Sequence, residues 1–409
     1  MITDVVSQYA EEAAFLWTTR DRAVTAPHYS LKSLTTLDGR IEAHLDGLRI
    51  AGDAGWMLCR ANLENAGPGE IFSLAVLAFG AGDRQRMLDV LTAGAVSLET
   101  QRGVVSALGW LEYQTVARWL GRLLGAQSSL HRAIGVAACA VRRDDPAAAL
   151  TAAISDPDPV LRSRALRAVG EIKRRDLLDA VRDHLSDDDE SCRFWAAWTL
   201  TLCRDRAGLP SLTQWLGQEN RFGRSALQVS IRAMKLEEGR HWVRTMAKDP
   251  KLRRTAVVAA GALGDPAVVP WLIGLMESPE LSRLAGEAFS MLTGVDLADR
   301  NLDQEGPAEN EESNDESEIV SDPDKNDQLP WPRAELIDEW WKTHKGDFQH
   351  APRYLIGQPL NARSARLVLE GGNQRQRAAA AIELALSAPE EVLFEVRARG
   401  ADQRALLAG

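Results

Sequence analysis

One spacing constrains this chain more than any other feature. Counting from Arg162, small residues follow at Ala165, Ala168 and Gly170, and the same offsets recur after Arg253 at Ala256, Ala259 and Gly261. Arg132 leads Gly135, Ala138 and Ala140, while Arg193 leads Ala196 and Thr199. Gly223 leads Ala226, Val229 and Ile231; Gln101 leads Val104, Ala107 and Gly109; Arg283 leads Gly286 and Phe289. These seven anchors stand 30 or 31 residues apart. A second set of apolar positions, Leu124, Ile154, Leu185, Leu216, Met246 and Met276, keeps the same interval. Self-similarity at such a period is the mark of stacked supersecondary units.

Each unit reads as two helices. Helix A starts at the anchor and carries small residues on one face, which lets neighbouring helices approach closely. Helix B is apolar at helical spacing, as in AVVPWLIGLM from Ala267 to Met276, and Gly264-Asp265-Pro266 reads as the turn before it. Proline in a first helical turn costs no hydrogen bond, since that N–H has no intrahelical acceptor. One such pair cannot bury its own apolar face. Stacked pairs can, so the expected fold is an all-α solenoid of HEAT-like helix pairs. The stretches DPVLRSRALRAVGEI (158–172) and DPKLRRTAVVAAGALGDPAVVPWLIGLM (249–276) resemble HEAT repeats of the short bacterial type known from phycobilin lyases. The resemblance covers at least residues 101–297, and EIFSLAVLAFGAGDRQRMLDVL reads as an earlier unit at about 69–98.

The repeated arginines admit two readings. A ladder of Arg132, Arg162, Arg193, Arg253 and Arg283 could bind anionic partners, or each could brace its repeat against the next. Recurrence at nearly every step favours the brace, because stacking needs the same device each time. Acids four residues before anchors, at Asp158, Asp189, Glu219 and Asp249, suit helix N-caps. Among the twelve tryptophans, Trp119, Trp215, Trp242 and Trp271 fall in B helices, as binding anchors or, as favoured here, as packing between repeats.

The ends depart from the period. Residues 1–68 read as an atypical helical cap, with helices in VVSQYAEEAAFLWTTRDRAV and LTTLDGRIEAHLDGL and a third over Ala54 to Leu63. The repeats are expected over 69–298. From Asp299 to Asp327 there are twelve acids against two bases, a local balance of −10 that equals the net charge of the whole chain. Residues 299–328 are therefore expected to be a disordered acidic insertion. Residues 329–409 are expected to hold an aromatic segment, with Trp340, Trp341, His344, Phe348, Arg353 and Tyr354, followed by a final repeat or cap in which Arg375 precedes Ala378 and Ala381. The blocks AEEAAFLW…APHYSL…LDGRIEAHLDGLRIAG and WWKTH…RYLIGQPL also resemble an uncharacterised bacterial HEAT-repeat family. Genes of that family often lie in type VI secretion loci.

Chemistry-bearing patterns are sparse. None of the seven histidines precedes a Glu, whereas the di-iron hydroxylases that HEAT repeats also build use His-Glu pairs; there is no HExxH, GxxxxGK[ST] or GxSxG. His344 and His350 lie in an expected loop and read as ordinary histidines rather than a metal pair. No cofactor, metal or catalytic residue is expected. The near-neutral body disfavours nucleic acid as a partner. Four scattered cysteines, no leader-like start and no apolar run of membrane-spanning length point to a cytoplasmic protein. The expected function is a non-catalytic scaffold or adaptor for a protein partner, a secretion component or effector in the setting of the second resemblance. B-helix residues Arg118, Arg122, His184, Gln214, Arg240 and Arg244 are the candidate contacts, with Trp340 and Trp341 beside them. A phycobilin-lyase-like ligand-binding enzyme and a nucleic-acid-binding solenoid remain the alternatives.

Overall fold

A computed structural model describes residues 3–61, 63, 66–218, 220–306, 326–349 and 351–408. The fold is an all-α solenoid. It divides into two compact units, the first formed by 1–25, 29–211 and 388–409, the second by 26–28 and 212–387.

In the first unit, α1 (Thr3–Ala23), α2 (Leu31–Ala51) and α3 (Asp53–Arg60) form the aperiodic start. Helix pairs follow: α4 (Pro68–Ala81) with α5 (Arg84–Gly94), α6 (Leu98–Trp110) with α7 (Tyr113–Leu124), α8 (Ser129–Arg142) with α9 (Ala148–Ile154), and α10 (Pro159–Ile172) with α11 (Leu178–Asp183). α12 (Glu190–Leu202) comes next, and α13 (Gly208–Leu212) carries the boundary between the units. The A helices α4, α6, α8, α10 and α12 each pack on the next in a row. Small residues permit this. A Cβ on Gly170 would come within 2.6 Å of the Thr199 hydroxyl oxygen on α12. That hydroxyl instead donates to the Leu166 carbonyl at 2.7 Å.

The loops before the A helices are tied in series. Asp158 caps α10 by accepting from the Val160 N–H at 2.8 Å, and Asp189 caps α12 by accepting from the Cys192 N–H at 2.8 Å. Asp249 accepts from the Lys251 N–H at 3.0 Å in the second unit, and Glu219 lies outside the described residues. Arg132 donates to the Ala126 and Gln127 carbonyls and, at 2.6 Å, to Asp156 in the next loop. Arg162 donates to the Asp156 and Pro157 carbonyls and through Nε and Nη2 to Asp187, at 2.8 and 2.9 Å. Arg193 in turn donates to the Asp187 and Asp188 carbonyls. Each guanidinium thus holds the loop preceding its own helix, and the first two also reach the acid of the following loop.

The second unit contains α14 (Gly223–Ala233), α15 (Leu236–Lys248), α16 (Arg253–Leu263), α17 (Val269–Leu275) and α18 (Pro279–Thr293). A two-residue ribbon, β1 (Asp303–Gln304) against β2 (Trp331–Pro332), precedes α19 (Ala334–His344). The hairpin β3 (Tyr354–Leu355) and β4 (Gln358–Pro359) turns through Ile356 and Gly357, both at positive φ, as a type I′ hairpin turn requires. It lies across helix ends. Tyr354 N–H donates to the Gly264 carbonyl at 2.7 Å, and the Ile356 and Gly357 N–H groups donate to Met291 and Leu292 at 2.8 and 2.9 Å. These carbonyls at the ends of α16 and α18 have no intrahelical donor left, so the hairpin satisfies them.

Two expectations about the C-terminal part differ from the structure. The acidic segment expected to be disordered over 299–328 is ordered at both edges: Asp303–Gln304 is in the ribbon and Asn326–Gln328 forms a 3-10 turn with Asn326 buried. Residues 307–325 of the expected insertion lie outside the described residues. After α20 (Ala362–Gly371), α21 (Gln374–Ser387) does not extend the row as one more repeat, the first of the two roles, repeat or cap, expected for it. It packs on α14, and Arg375 pairs with Glu287 of α18 at 2.7 Å. From Ala388 the chain belongs to the first unit, where α22 (Gly400–Ala408) packs on α2. No period in the sequence announces this return, because it depends on contacts between residues hundreds of positions apart.

Candidate interaction surfaces

The B helices offer three kinds of surface. On α7, Trp119 is buried while Arg118 and Arg122 are exposed, their guanidinium carbons 4.2 and 4.7 Å from the indole centroid. Residues i−1 and i+3 flank Trp119 on the helix, so two cations rest over one ring. Among the described residues neither arginine has a carboxylate partner. Gln214 and Arg244 are exposed. The remaining candidates are committed internally. Arg240 donates to Asp265 from Nε at 2.6 Å and Nη2 at 3.1 Å, and also to Glu237. His184 Nδ1 lies 2.8 Å from the same Asp187 oxygen that pairs with Arg162.

Trp340 and Trp341 sit in an aromatic cluster rather than on an open face. Trp341 is buried, and Trp340 stacks on His344 at 4.3 Å and meets Phe289 edge-on at 5.6 Å. Phe348 joins both tryptophans and Tyr354. His350 is outside the described residues. Of the anchor arginines, Arg253 is exposed, and in that repeat Arg254 reaches the Glu280 carbonyl of the next helix instead, at 3.1 Å. Arg283 lies over Trp331 at 4.3 Å.

The most elaborate polar site was not visible as a motif. Glu171, at the end of α10, is buried and accepts from Arg164 Nη2 at 2.9 Å and Arg167 Nε at 2.8 Å. Burial would raise its pKa, but Arg164, Arg167 and Arg143 outweigh that and hold it at about 2. Arg164 has its own pKa lowered by burial, and its Nη1 has no hydrogen-bond partner among the described residues. Arg167 also lies over Trp195, 4.5 Å from the centroid. The C-terminal tail enters here. Leu393 donates its N–H to the Glu171 carbonyl at 2.9 Å and accepts from Arg143 Nε at 2.5 Å, and Glu395 pairs with Arg143 at 3.2 Å.

A little further on, Arg20 on α1 donates to Asp38 at 2.5 Å and to the Arg397 and Ala398 carbonyls at 3.0 and 2.9 Å. Asp38 accepts from the Gly400 N–H at 2.6 Å, and Arg399 donates to the Trp110 carbonyl at 3.0 Å. The second unit has a parallel: Arg353 donates to the Leu263 and Arg232 carbonyls and to Glu383 at 2.8 Å, beside buried Arg232, whose pKa burial pushes down to about 10.

A family model for HEAT repeats matches residues 146–232. That stretch runs from just before α9 to the end of α14 and includes the Arg162 and Arg193 loops. No curated protein matches the chain. Among the described residues, no helix is long and apolar enough to cross a membrane.

Proposed function

We propose that this chain, carrying HEAT repeats at its centre, is a non-catalytic cytoplasmic scaffold that captures a protein partner on the B-helix surface around α7. The observation that supports this most is the pair of exposed arginines Arg118 and Arg122, two cations held over the ring of buried Trp119 with no acid of their own among the described residues. Several other arginines of the repeats are held by loops and acids, as at Arg132, Arg162 and Arg240. Arginine and tryptophan together are the residue types that dominate binding energy at interfaces. The chemistry fits an acidic segment of the partner. A role accessory to type VI secretion is the setting supported by the resemblance of the N-terminal and aromatic blocks to that bacterial family.

The test is affinity capture from the native cell with the full chain and with Arg118→Glu/Arg122→Glu. Loss of a hot-spot pair costs about 2 kcal/mol or more, roughly 30-fold in Kd. A partner held by the wild type and lost by the variant, at unchanged helix content, is the expected result. Equal capture by both chains would sink the α7 assignment. Uptake of a bilin would favour the lyase-like alternative, and salt-sensitive DNA binding the nucleic-acid one.

A further inference from the structure

The first unit holds an extended segment of its own chain by main-chain and charged contacts of the kind that read peptides. Residues 392–395 have no helical or strand structure and lie partly exposed against the ends of α8 and α10. Both backbone groups of Leu393 are taken, the N–H by the Glu171 carbonyl and the carbonyl by Arg143. Two residues on, the Glu395 carboxylate meets Arg143. Three arginines, Arg143, Arg164 and Arg167, face two acids here, Glu171 and Glu395, so the cradle without the tail carries excess positive charge. Among the described residues Arg164 Nη1 remains a buried donor without an acceptor. An unpaired buried guanidinium nitrogen is costly where it stands.

We propose that the ends of α8 and α10 form a recognition cradle for an extended partner segment that carries a carboxylate two positions after the residue held through its main chain. Residues 392–395 occupy that cradle in cis. This surface is separate from the one around α7, and either can stand without the other. Main-chain pairing supplies affinity that is indifferent to sequence, and the Arg143 position supplies selection for the acid. A tethered segment competes at an effective concentration of order mM. The wild-type chain therefore shows only the fraction of its cradle that the tail leaves free.

The probe is a fluorescent synthetic peptide of residues 388–409, titrated by anisotropy into the full-length chain. The tail is loosened by Glu395→Lys combined with Gly400→Leu; a Cβ at position 400 would come within 2.2 Å of the Thr35 hydroxyl oxygen. Faster trypsin cleavage after Arg397 and Arg399 reports release. The released chain should bind the peptide at least about tenfold more tightly than wild type. Adding Arg143→Glu should abolish that binding, and a Glu395→Lys peptide should not bind. If the double variant loses helix content, Glu395→Lys alone carries the test, with a smaller gain in the same direction. A chain whose tail is cleaved readily yet takes up no peptide overturns the proposal, as does a tail that stays protected in the variants. A wild-type dimer that exchanges tails, with no uptake of free peptide by the released chain, would also overturn it and assign the contact to a second copy.

Discussion

Replacing Asp187 by Ala tests whether the loop ladder carries the stacking energy of the first unit. The Asp187 carboxylate is 7% exposed and accepts from Arg162 twice, from His184, and from the Asp189 N–H at 2.9 Å. Arg162 would keep only the Asp156 and Pro157 carbonyls on Nη1. Removing one partner of a buried pair costs about 3–5 kcal/mol, because the other charge is left uncompensated. Arg162 is 15% exposed, so water recovers part of that and the lower end applies, about 3 kcal/mol. In a repeat array the loss falls on one interface rather than on the whole chain. Hydrogen exchange resolved by peptide should therefore show amides of α12 exchanging roughly 100-fold faster, with α4 unchanged. Adding Arg162→Met should recover part of the protection by removing the orphaned charge.

Asp46→Ala is the control, since Asp46 is 60% exposed and Arg49 retains Glu42; its effect should stay under about 0.5 kcal/mol. The pH dependence has a definite sign. Arg162 beside it holds Asp187 below the usual carboxylate range, so its stabilisation is complete above the unfolded value of about 4 and is lost as pH falls through the lower folded value. Less than about fivefold change in α12 exchange for Asp187→Ala would refute the reasoning, because no brace of this geometry would then be carrying energy.

Lys173 provides a second test. Burial lowers its pKa to about 8, and its ammonium donates to the Leu202 carbonyl at 2.5 Å. A folded value below the unfolded one means that the unfolded chain binds more protons between about pH 8 and 10.5, so this residue makes stability rise with pH across that window. Urea midpoints of Lys173→Met should lose that rise, and an unchanged slope would contradict it. Two glycines of the second unit should respond in opposite directions. Gly264→Ala places a Cβ 2.2 Å from the Tyr354 carbonyl oxygen at φ +67, and should cost about 2 kcal/mol or more. Gly274→Ala meets nothing within 4 Å inside α17 and should stabilise by about 0.5–1 kcal/mol, read from the same urea midpoints.

Much of the fold was legible because a period is a local property. The anchors at 132, 162, 193 and 223 fall in α8, α10, α12 and α14, and the units expected from 69 onward begin at α4. The small residues marked where helices touch, as Gly170 against Thr199 shows. The contact residues were less legible. Arg118 and Arg240 look alike on B helices, yet one is exposed over an indole and the other is held by Asp265. Only the position of a loop 25 residues away separates them. A faint signal for the tail cradle did exist. Nine residues after the anchor most copies carry an apolar residue, such as Val141, Leu202 or Ala262, but two carry Glu171 and Arg232. Both are buried and ion-paired in the structure.

By itself, the amino-acid order determined the helix pairs, their period and the loops that brace them, since caps, turns and small-residue faces act within a few turns of helix. The tertiary structure alone decided where the last sixty residues go. The hairpin at 354–359 satisfies the ends of α16 and α18, α21 lies on α14, and the tail from Ala388 binds α1, α2, α8 and α10. Those contacts pair free carbonyls and buried charges across as many as 378 positions, and no local pattern encodes a partner that far away.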